Sequence, residues 1–341
     1  PLESILTAEL TIKTTLVGSY PIPAWLAAYP STPNLIDAAK VILKTQELAG
    51  IDVLTDGELT RFDVSHPETN GMIEYFISPM SGISNKFSRQ ELDDFKSGAG
   101  MAFRSTPGGI VKDNIKEGHL NLPAAWQLVK PLTERTLKFT VTSPYMLAKT
   151  LLDKHYFDLQ AMTMDIAEVL RKQVAQIDAS VIQLDEANLP GNPEDNNWAH
   201  EPINHVLSAI KGEKSLHLCF GNYGGQSIQS GFWQDMIQFL NKLDVDHLIL
   251  EFARRGYDEL PMFRNLRDNI KLGLGVIDIK DNVVESPDLV ARRIQNAIDI
   301  LGPDRIAWVH PDCGFWMLPR TVSDRKMFNL VAGRDLLLGK Q

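Results

Sequence analysis

The hydrophobic pattern of the chain alternates between short apolar runs and longer segments with apolar residues three and four positions apart. Near-continuous apolar runs are typical of parallel strands that are covered on both faces of a sheet. The longer segments predict amphipathic helices between the strands, for example over 34–50 and 287–302. Eight short runs predict strands, at residues 13–20, 52–59, 137–144, 179–187, 215–222, 247–253, 271–278 and 305–312.

Residues at the helix ends agree with this assignment. The segment 34–50 ends on Gly50, and glycine is the usual residue just past a helix C-terminus. Ser286 followed by Pro287 favours the start of the helix over 287–302, because serine caps a helix and proline fits its first turn. The boundaries of at least two helices are therefore predicted from capping chemistry as well as from periodicity.

The repeated alternation of strand and helix predicts one (β/α)8 TIM barrel domain over 1–341. A doubly wound sheet is the alternative, but the dinucleotide fingerprint Gly-x-Gly-x-x-Gly does not follow the first strand. Residues 62–125 break the alternation and are rich in Gly, Ser, Asn and Pro. This segment predicts an insertion after the second strand that covers one end of the barrel.

Composition narrows the class of protein. The 341-residue chain has a formal net charge of −9 and a sequence pI of about 5.4, which argues against nucleic acid or an anionic membrane as a partner. Its two cysteines are too few for a disulfide framework and favour a reducing compartment. No apolar run has the length of a membrane span. We expect a soluble, cytoplasmic enzyme.

Polar residues collect at the carboxyl ends of the predicted strands. In a TIM barrel these ends form the catalytic face, which is built from the loops that follow the strands. Agreement among several strands is stronger evidence for a site than any single residue. The residues concerned are Gly18, Ser19, Asp56, Glu58, Asp185, Glu186, His217, Cys219, Glu251, Asp278, Lys280, His310, Asp312 and Cys313.

Four of these residues have the chemistry of a zinc site. His217 and Cys219 are two positions apart on a strand, so both side chains leave the same face. Glu251 and Cys313 follow later strands of the same barrel. Zinc binds thiolate, imidazole and carboxylate ligands in tetrahedral geometry. Taken singly, however, a cysteine is more often a small buried hydrophobe and a strand histidine a core residue.

The segments LHLCFGN, LILEFAR and VHPDCGF, together with TTLVGSYP, LTDGE and IQLDEANLP, resemble the catalytic domain of the cobalamin-independent methionine synthase family. The resemblance extends over residues 13–337. It implies a TIM barrel with one catalytic zinc bound by His217, Cys219, Glu251 and Cys313. It also implies that homocysteine contacts Val17, Gly18, Ser19, Glu58 and Asp185.

The implied chemistry is physically consistent. A thiol with a pKa near 8.5 is mostly protonated at neutral pH, whereas the attacking species is the thiolate. Zinc binding deprotonates a thiol, and an electron-rich ligand set leaves the bound sulfur nucleophilic. Asp185 and Glu58 offer charge to the ammonium group of an amino acid, and the Val17–Ser19 backbone with the Ser19 hydroxyl can bind its carboxylate.

The resemblance is weaker on the side of the methyl donor. The chain has room for one barrel and resembles a short form without the N-terminal barrel that helps hold folate polyglutamate. The segment FTVTSPYML has Thr140 in place of a family proline and lacks the tryptophan that stacks on the pterin, although Tyr145 could replace it if the alignment shifts by one residue. Lys280 stands where the family has a proton-donating histidine. We assign catalytic roles to Lys280 and Asp185, with an ion pair from Lys280 to Asp278 or Glu285 as the alternative.

These observations favour a zinc-dependent methyltransferase that makes methionine from homocysteine. The donor we favour is methylcobalamin, free or on a corrinoid protein, rather than a polyglutamylated folate. A second hypothesis is a thiol alkyltransferase that acts on another small thiol such as coenzyme M. A third is a barrel that contains zinc but has no catalytic activity.

Overall fold

The computed structural model describes residues 11–66, 71–98, 104–221 and 230–340. Among these residues the strands are β1 (Lys13–Thr14), β2 (Ser81–Ser84), β3 (Gly109–Lys116), β4 (Lys138–Thr142), β5 (Leu151–Asp153), β6 (Val181–Glu186), β7 (Glu213–Leu218), β8 (His247–Leu250), β9 (Lys271–Ile277) and β10 (Ile306–Pro311). The α-helices are α1 (Ala24–Ala28), α2 (Thr32–Ala49), α3 (Glu74–Ile77), α4 (Arg89–Ser97), α5 (Leu122–Val129), α6 (Pro144–Lys149), α7 (Leu159–Val174), α8 (His200–Leu207), α9 (Ile237–Leu240), α10 (Pro287–Leu301) and α11 (Arg320–Leu337).

Seven of these strands form one parallel sheet in the order β1-β10-β9-β8-β7-β6-β4. Residues 53 and 54 join its two edges, because Val53 forms a parallel bridge with Thr15 and Leu54 forms one with Leu137. The Val53 N–H donates to the Thr14 carbonyl at 3.1 Å, and the Leu54 N–H donates to the Thr136 carbonyl at 2.9 Å. The sheet therefore closes into a barrel of eight strand segments, and the predicted TIM barrel is confirmed.

The eight predicted strands coincide with these segments but extend too far at several carboxyl ends. The second one is reduced to the two bridging residues, and residues 59–61 form a 3₁₀ helix. Asp56, Asp278 and Asp312 lie in the loops after these segments, where their side chains accept backbone hydrogen bonds. The helix ends agree with the sequence: Gly50 has a left-handed φ of 84° at the end of α2, and the Ser286 hydroxyl accepts from Leu289 N at the start of α10.

Strand register brings the polar side chains together. In the pairing of β6 with β7, Asp185 lies opposite His217. Gly275 in β9 leaves room for the side chain of Asp312, because an added Cβ at Gly275 would lie 2.2 Å from the Asp312 Oδ1 atom. A substitution of Gly275 would therefore displace Asp312, a residue that holds the loop after β8.

A second sheet of three strands lies within and beside the segment 62–125. Strand β2 pairs with β3 in an antiparallel arrangement, and β3 pairs with β5 in a parallel one. Helices α3, α4 and α5 complete the described part of this segment. The three strands give the inserted segment its own hydrogen-bonded framework, which links it to the barrel through β5.

None of the helices in the described ranges is both long enough and apolar enough to cross a membrane.

Candidate active site

Three of the four predicted zinc ligands meet at the carboxyl ends of β7 and β10. One ligand atom from each of His217, Cys219 and Cys313 lies within 4.8 Å of the other two. The two sulfur atoms are 4.0 Å apart and do not form a disulfide. His217 and Cys219 are buried, and Cys313 is partly buried. This is the group of metal-ligating side chains that the described residues bring together.

The hydrogen bond on one nitrogen of His217 determines which nitrogen can bind a metal. Nδ1 lies 2.9 Å from the Ile249 carbonyl oxygen, an obligatory acceptor, so Nδ1 carries the hydrogen. Nε2 is buried and has no hydrogen-bond partner among the described residues. In the neutral ring Nε2 then offers a lone pair, which is the arrangement that metal-binding histidines adopt.

The hydrogen bond between the two cysteine side chains shifts their pKa values in opposite directions, and the resulting negative charge favours a bound cation. The hydrogen bond from Cys219 lowers the pKa of Cys313 well below its usual range and raises the pKa of Cys219. Burial lowers the pKa of His217, but the Cys313 sulfur and the Asp185 carboxylate outweigh burial, so the pKa of the ring is raised. A cation bound between these three side chains would take the place of the protons for which the two sulfurs and the imidazole ring compete.

Glu251, the fourth predicted ligand, lies outside this cluster. Its Oε2 atom is 3.3 Å from Lys280 Nζ, and the side chains are 0% and 1% exposed, respectively. The predicted alternative partners of Lys280 are paired elsewhere: Asp278 with Arg254, and Glu285 with Lys326 and Arg293. Burial lowers the pKa of Lys280, but the nearby negative groups, Glu251 first and then Cys219, Cys313 and Asp312, together outweigh burial and raise it. Lys280 is therefore charged at neutral pH.

The backbone around Glu251 is held from two sides. Asp312 accepts hydrogen bonds from the N–H groups of Phe252, Ala253 and Arg254 at 2.8–2.9 Å. Trp233 Nε1 donates to the Glu251 carbonyl oxygen at 3.2 Å. Burial raises the pKa of Asp312 to about 7, and the three backbone donors oppose that shift. Asp312, noted in the sequence as a polar residue at a strand end, thus fixes the loop that carries Glu251.

On the other side of His217, Asp185 belongs to a buried chain of hydrogen bonds. Gln183 Nε2 donates to Asp185 Oδ1 at 2.6 Å and to the Val17 carbonyl at 2.9 Å. Lys138 Nζ donates to Gln183 Oε1 at 2.7 Å and to the Leu16 carbonyl at 2.6 Å. Since an ammonium group only donates, Lys138 fixes the orientation of the Gln183 amide. The amide in turn donates to Asp185.

Burial shifts the pKa values of the ionisable groups in this hydrogen-bonded network in the direction that favours their neutral forms. Burial raises the pKa of Asp185 to about 7, and the nearby Glu58 carboxylate adds to the shift. Burial also lowers the pKa of Lys138 to about 7. A cationic group bound beside Asp185 would favour its ionised form.

Glu58 lies next to Gly18 and faces the same region. Its Oε1 atom accepts from the Thr140 hydroxyl at 2.7 Å and lies 3.5 Å from Arg61 NH1. An added Cβ at Gly18 would lie 2.2 Å from Glu58 Oε1, so a larger residue there would displace this carboxylate. Glu58 has a left-handed φ of 58°, and Asp56 stabilises this turn by accepting from the Glu58 N–H at 2.8 Å. The predicted acceptor-binding residues are thus neighbours in the structure.

Three buried residues of this network were missed in the sequence: Lys138, Gln183 and Arg61. Lys138 and Gln183 are polar positions inside otherwise apolar strands, and that exception is the signal that could have identified them. Arg61 follows the second strand and donates to the carbonyl and hydroxyl groups of Thr140. No sequence pattern indicated that this arginine would be buried.

Comparison with known proteins assigns the chain to a family. Residues 12–333 match the family described as the catalytic domain of cobalamin-independent synthases. The chain is 28% identical to a methionine synthase of Sulfurisphaera tokodaii, with 96% of this chain and 92% of that protein covered. A methionine synthase of Thermococcus kodakarensis is 26% identical, with coverages of 96% and 93%.

Solved structures show the same fold. A B12-independent methionine synthase from Shewanella sp. W3-18-1, solved with selenomethionine, superposes with a TM-score of 0.79 at 21% identity and covers 96% of this chain and 98% of that one. A methyltransferase from Methanosarcina mazei superposes with a TM-score of 0.62 at 13% identity, with coverages of 96% and 94%.

Fold and family together define the class of protein: a TIM-barrel methyltransferase of the methionine synthase type, as the sequence predicted. More narrowly, the chain belongs to the family of cobalamin-independent synthase catalytic domains.

Proposed function

We propose that the chain transfers a methyl group to the thiol of homocysteine and thereby forms methionine. The observation that supports this proposal is the placement of a His217–Cys219–Cys313 cluster beside the buried carboxylate of Asp185. The cluster is suited to a metal-bound thiol and the carboxylate to an ammonium group. Homocysteine carries both groups in one small molecule.

The cluster fits zinc. Two sulfurs and an imidazole nitrogen are ligands that zinc favours, and a tetrahedral ion with Zn–S distances of about 2.3 Å separates two sulfurs by about 3.8 Å. The observed separation of 4.0 Å is close to that value. Zinc at this position would supply the chemistry of lowering the pKa of a substrate thiol, so that the thiolate is present at neutral pH.

The chain's own residues bind and orient the rest of the acceptor. Asp185 and Glu58 receive its ammonium group. The N–H groups of Val17, Gly18 and Ser19 receive its carboxylate. These N–H groups are available because no hydrogen-bond acceptor among the described residues takes them. In the same loop the Val17 carbonyl accepts a hydrogen bond from the Gln183 amide, and the Gly18 carbonyl accepts one from the Thr55 hydroxyl.

For the donor we propose a methylated corrinoid that enters as a substrate. In this transfer the sulfur–carbon bond forms and the cobalt–carbon bond breaks, with the electron pair left on cobalt and the thiol proton released to solvent. No proton donor is needed. Transfer from a folate, by contrast, leaves an amine nitrogen that must be protonated. Lys280, which stands where the family has a proton-donating histidine, is buried against Glu251 with a raised pKa and is a poor acid at neutral pH.

The surroundings of Tyr145 also support a donor other than folate. Tyr145 was considered as a replacement for the aromatic residue that stacks on a pterin. Its side chain is fully buried, and its hydroxyl donates to Asp195 at 2.6 Å. Trp198 packs beside it with ring centroids 5.7 Å apart. The tyrosine ring therefore has no open face for stacking, a contact that contributes about 1–3 kcal/mol per base where it exists.

An anaerobic transfer assay tests both halves of the proposal. Zinc-loaded protein is given homocysteine with methylcobalamin or with methyltetrahydrofolate carrying a polyglutamate tail, and the methionine formed is measured. We expect turnover with the corrinoid to be at least about ten times faster than with the folate, the factor that 1.4 kcal/mol of lost donor binding represents. Turnover with the folate alone would contradict the proposed donor. Methylation of coenzyme M but not of homocysteine would contradict the proposed acceptor.

A further inference from the structure

Arg61 is a buried arginine that joins the inserted segment to the acceptor side of the barrel. Its side chain is 3% exposed and follows the turn that carries Glu58. The guanidinium carbon lies 5.1 Å from the ring centroid of Phe76, 5.6 Å from that of Tyr75 and 5.9 Å from that of Phe139. The first two rings belong to α3 of the inserted segment and the third to β4. Cation–π attraction to these rings holds the guanidinium in place, so the position of Arg61 depends on α3.

The hydrogen bonds of Arg61 set the direction of the Thr140 hydroxyl. Arg61 NH2 donates to Thr140 Oγ1 at 2.7 Å and also to the Thr140 carbonyl. Because a guanidinium group only donates, the hydroxyl accepts from Arg61 and directs its own hydrogen to another acceptor. That acceptor is Glu58 Oε1, which lies 2.7 Å from Thr140 Oγ1. Arg61 therefore determines which way the hydroxyl that holds Glu58 points.

One oxygen of the Glu58 carboxylate is held and the other is left for a ligand. Oε1 accepts from Thr140 and lies 3.5 Å from Arg61 NH1. Oε2 accepts no hydrogen bond from the residues that the structure describes. The left-handed φ of 58° at Glu58 is a strained conformation that persists only where surrounding contacts impose it. The contacts to Oε1 thus fix a carboxylate whose second oxygen can receive a cationic group.

We propose that Arg61 is a positioning residue for the acceptor: through the Thr140 hydroxyl it orients the Glu58 carboxylate towards the ammonium group of homocysteine. The inserted segment takes part in this function, because α3 supplies two of the three rings that hold Arg61. The inference rests on the proposed function. A purely structural role for Arg61 would be limited to neutralising the buried carboxylates of Asp56 and Glu58.

Two acceptors that differ by one amino group separate positioning from stability. Dissociation constants of the zinc-loaded protein are measured by calorimetry for homocysteine and for γ-mercaptobutyrate, which is homocysteine without its amino group. Arg61→Met should weaken binding of homocysteine by about 10-fold, because the ammonium group loses a well-placed carboxylate. Binding of γ-mercaptobutyrate should change by less than about 2-fold, since this thiol makes no contact that depends on Glu58. A general loss of structure would weaken the binding of both thiols.

Substitutions of Thr140 test the same route without removing a buried charge. Thr140→Val keeps the shape of the side chain but lacks the hydroxyl, and should weaken binding of homocysteine, but not of γ-mercaptobutyrate, by about 5-fold. Thr140→Ser keeps the hydroxyl and should recover the parent affinity to within about 2-fold. If Arg61→Met does not fold, this pair of variants decides the question.

Arg334→Met is the matched control for the loss of a buried guanidinium. Arg334 donates to the Ile12 carbonyl and to Asp52, at the amino ends of the first two strand segments and therefore opposite the acceptor side. Its substitution should lower stability but leave the ratio of the two dissociation constants unchanged.

A double-mutant cycle with Glu58 identifies the residue through which Arg61 acts. In a Glu58→Gln background, Arg61→Met should have less than about 2-fold further effect on homocysteine binding. Equal weakening of both thiols, an undiminished effect in the Glu58→Gln background, or parent affinity in Thr140→Val would overturn the inference. If the parent binds homocysteine no more tightly than γ-mercaptobutyrate, the proposed acceptor itself fails. That failure is seen in the parent protein alone and is thereby distinguished from failure of the role of Arg61.

Discussion

The two sides of the candidate active site differ in how completely their buried polar atoms are paired. On the metal side, His217 Nε2 and Glu251 Oε1 are buried and lack hydrogen-bond partners within the described ranges. On the acceptor side, Lys138, Gln183 and Asp185 form a continuous chain of hydrogen bonds, and the one buried atom of this network without a hydrogen bond in the described ranges, Arg61 NH1, lies 3.5 Å from Glu58 Oε1. Buried polar atoms without partners are rare because each costs about 1–3 kcal/mol. An ion at the His217–Cys219–Cys313 cluster would complete the proposed metal side, whereas hydrogen bonds within the protein already organise the acceptor side.

This contrast predicts different consequences for substitutions on the two sides. Changes on the metal side should affect ligand binding far more than folding. Changes on the acceptor side should affect the position of the substrate and, where a buried donor is lost, stability as well. The expected results below are ordered from the largest effect to the smallest.

The largest effect should come from the double variant Cys219→Ser, Cys313→Ser. Loss of both thiolates should abolish binding of one zinc per chain and reduce methyl transfer by more than about 10³-fold, because the nucleophile is no longer formed. Zinc content measured by elemental analysis and the far-UV circular dichroism spectrum together check this. Full zinc occupancy in the double variant would show that the metal is bound elsewhere.

Asp185→Asn and Glu58→Gln should raise KM for homocysteine by about 10- to 100-fold each, since each removes a charge that faces the ammonium group. Zinc content should stay at one per chain in both variants. Steady-state kinetics with homocysteine, and with a thiol of similar size that lacks the amino group, provide the comparison. Unchanged KM in both variants would mean that the natural acceptor has no ammonium group at this position.

Lys138→Met should combine a loss of stability with a smaller change in KM. The substitution leaves the Leu16 carbonyl and Gln183 Oε1 without their donor, which costs about 1–3 kcal/mol of unfolding free energy. With Gln183 free to reorient, KM for homocysteine should rise by about 5- to 10-fold, the equivalent of about 1 kcal/mol. Denaturant unfolding and kinetics measure the two effects separately. A loss of stability with no change in KM would limit Lys138 to a structural role.

The smallest effect concerns Glu186, a fully buried carboxyl next to Asp185. Burial raises its pKa to about 7, although Ser143 and the N–H groups of Asn188 and Leu189 oppose that shift. The folded protein then binds a proton between pH 4.5 and 7 that the unfolded chain does not. Stability should therefore fall as pH rises through this range. Glu186→Gln should reduce that slope in urea unfolding at pH 5.5, 6.5 and 7.5, and an unchanged slope would contradict the assignment.

The fold could be predicted from the sequence because its signals are local. Apolar runs and helix caps such as Ser286 report on their own segment, and eight strands in one order define a barrel. The cluster of His217, Cys219 and Cys313 could also be predicted, since strand spacing and strand order place these residues at one rim. The orientation of Glu251 was not, because it depends on Lys280 from another strand end. Likewise, Lys138 and Gln183 acquire their roles only through contacts with the loop after β1.

The central claim is that the cluster of His217, Cys219 and Cys313 holds a metal that binds the acceptor thiol. X-ray absorption spectroscopy of the zinc-loaded protein tests it directly by counting the sulfur atoms at about 2.3 Å from the metal. We expect two sulfurs in the protein alone, from the two cysteines, and three after addition of homocysteine. Two sulfurs both before and after saturation with homocysteine would contradict the claim.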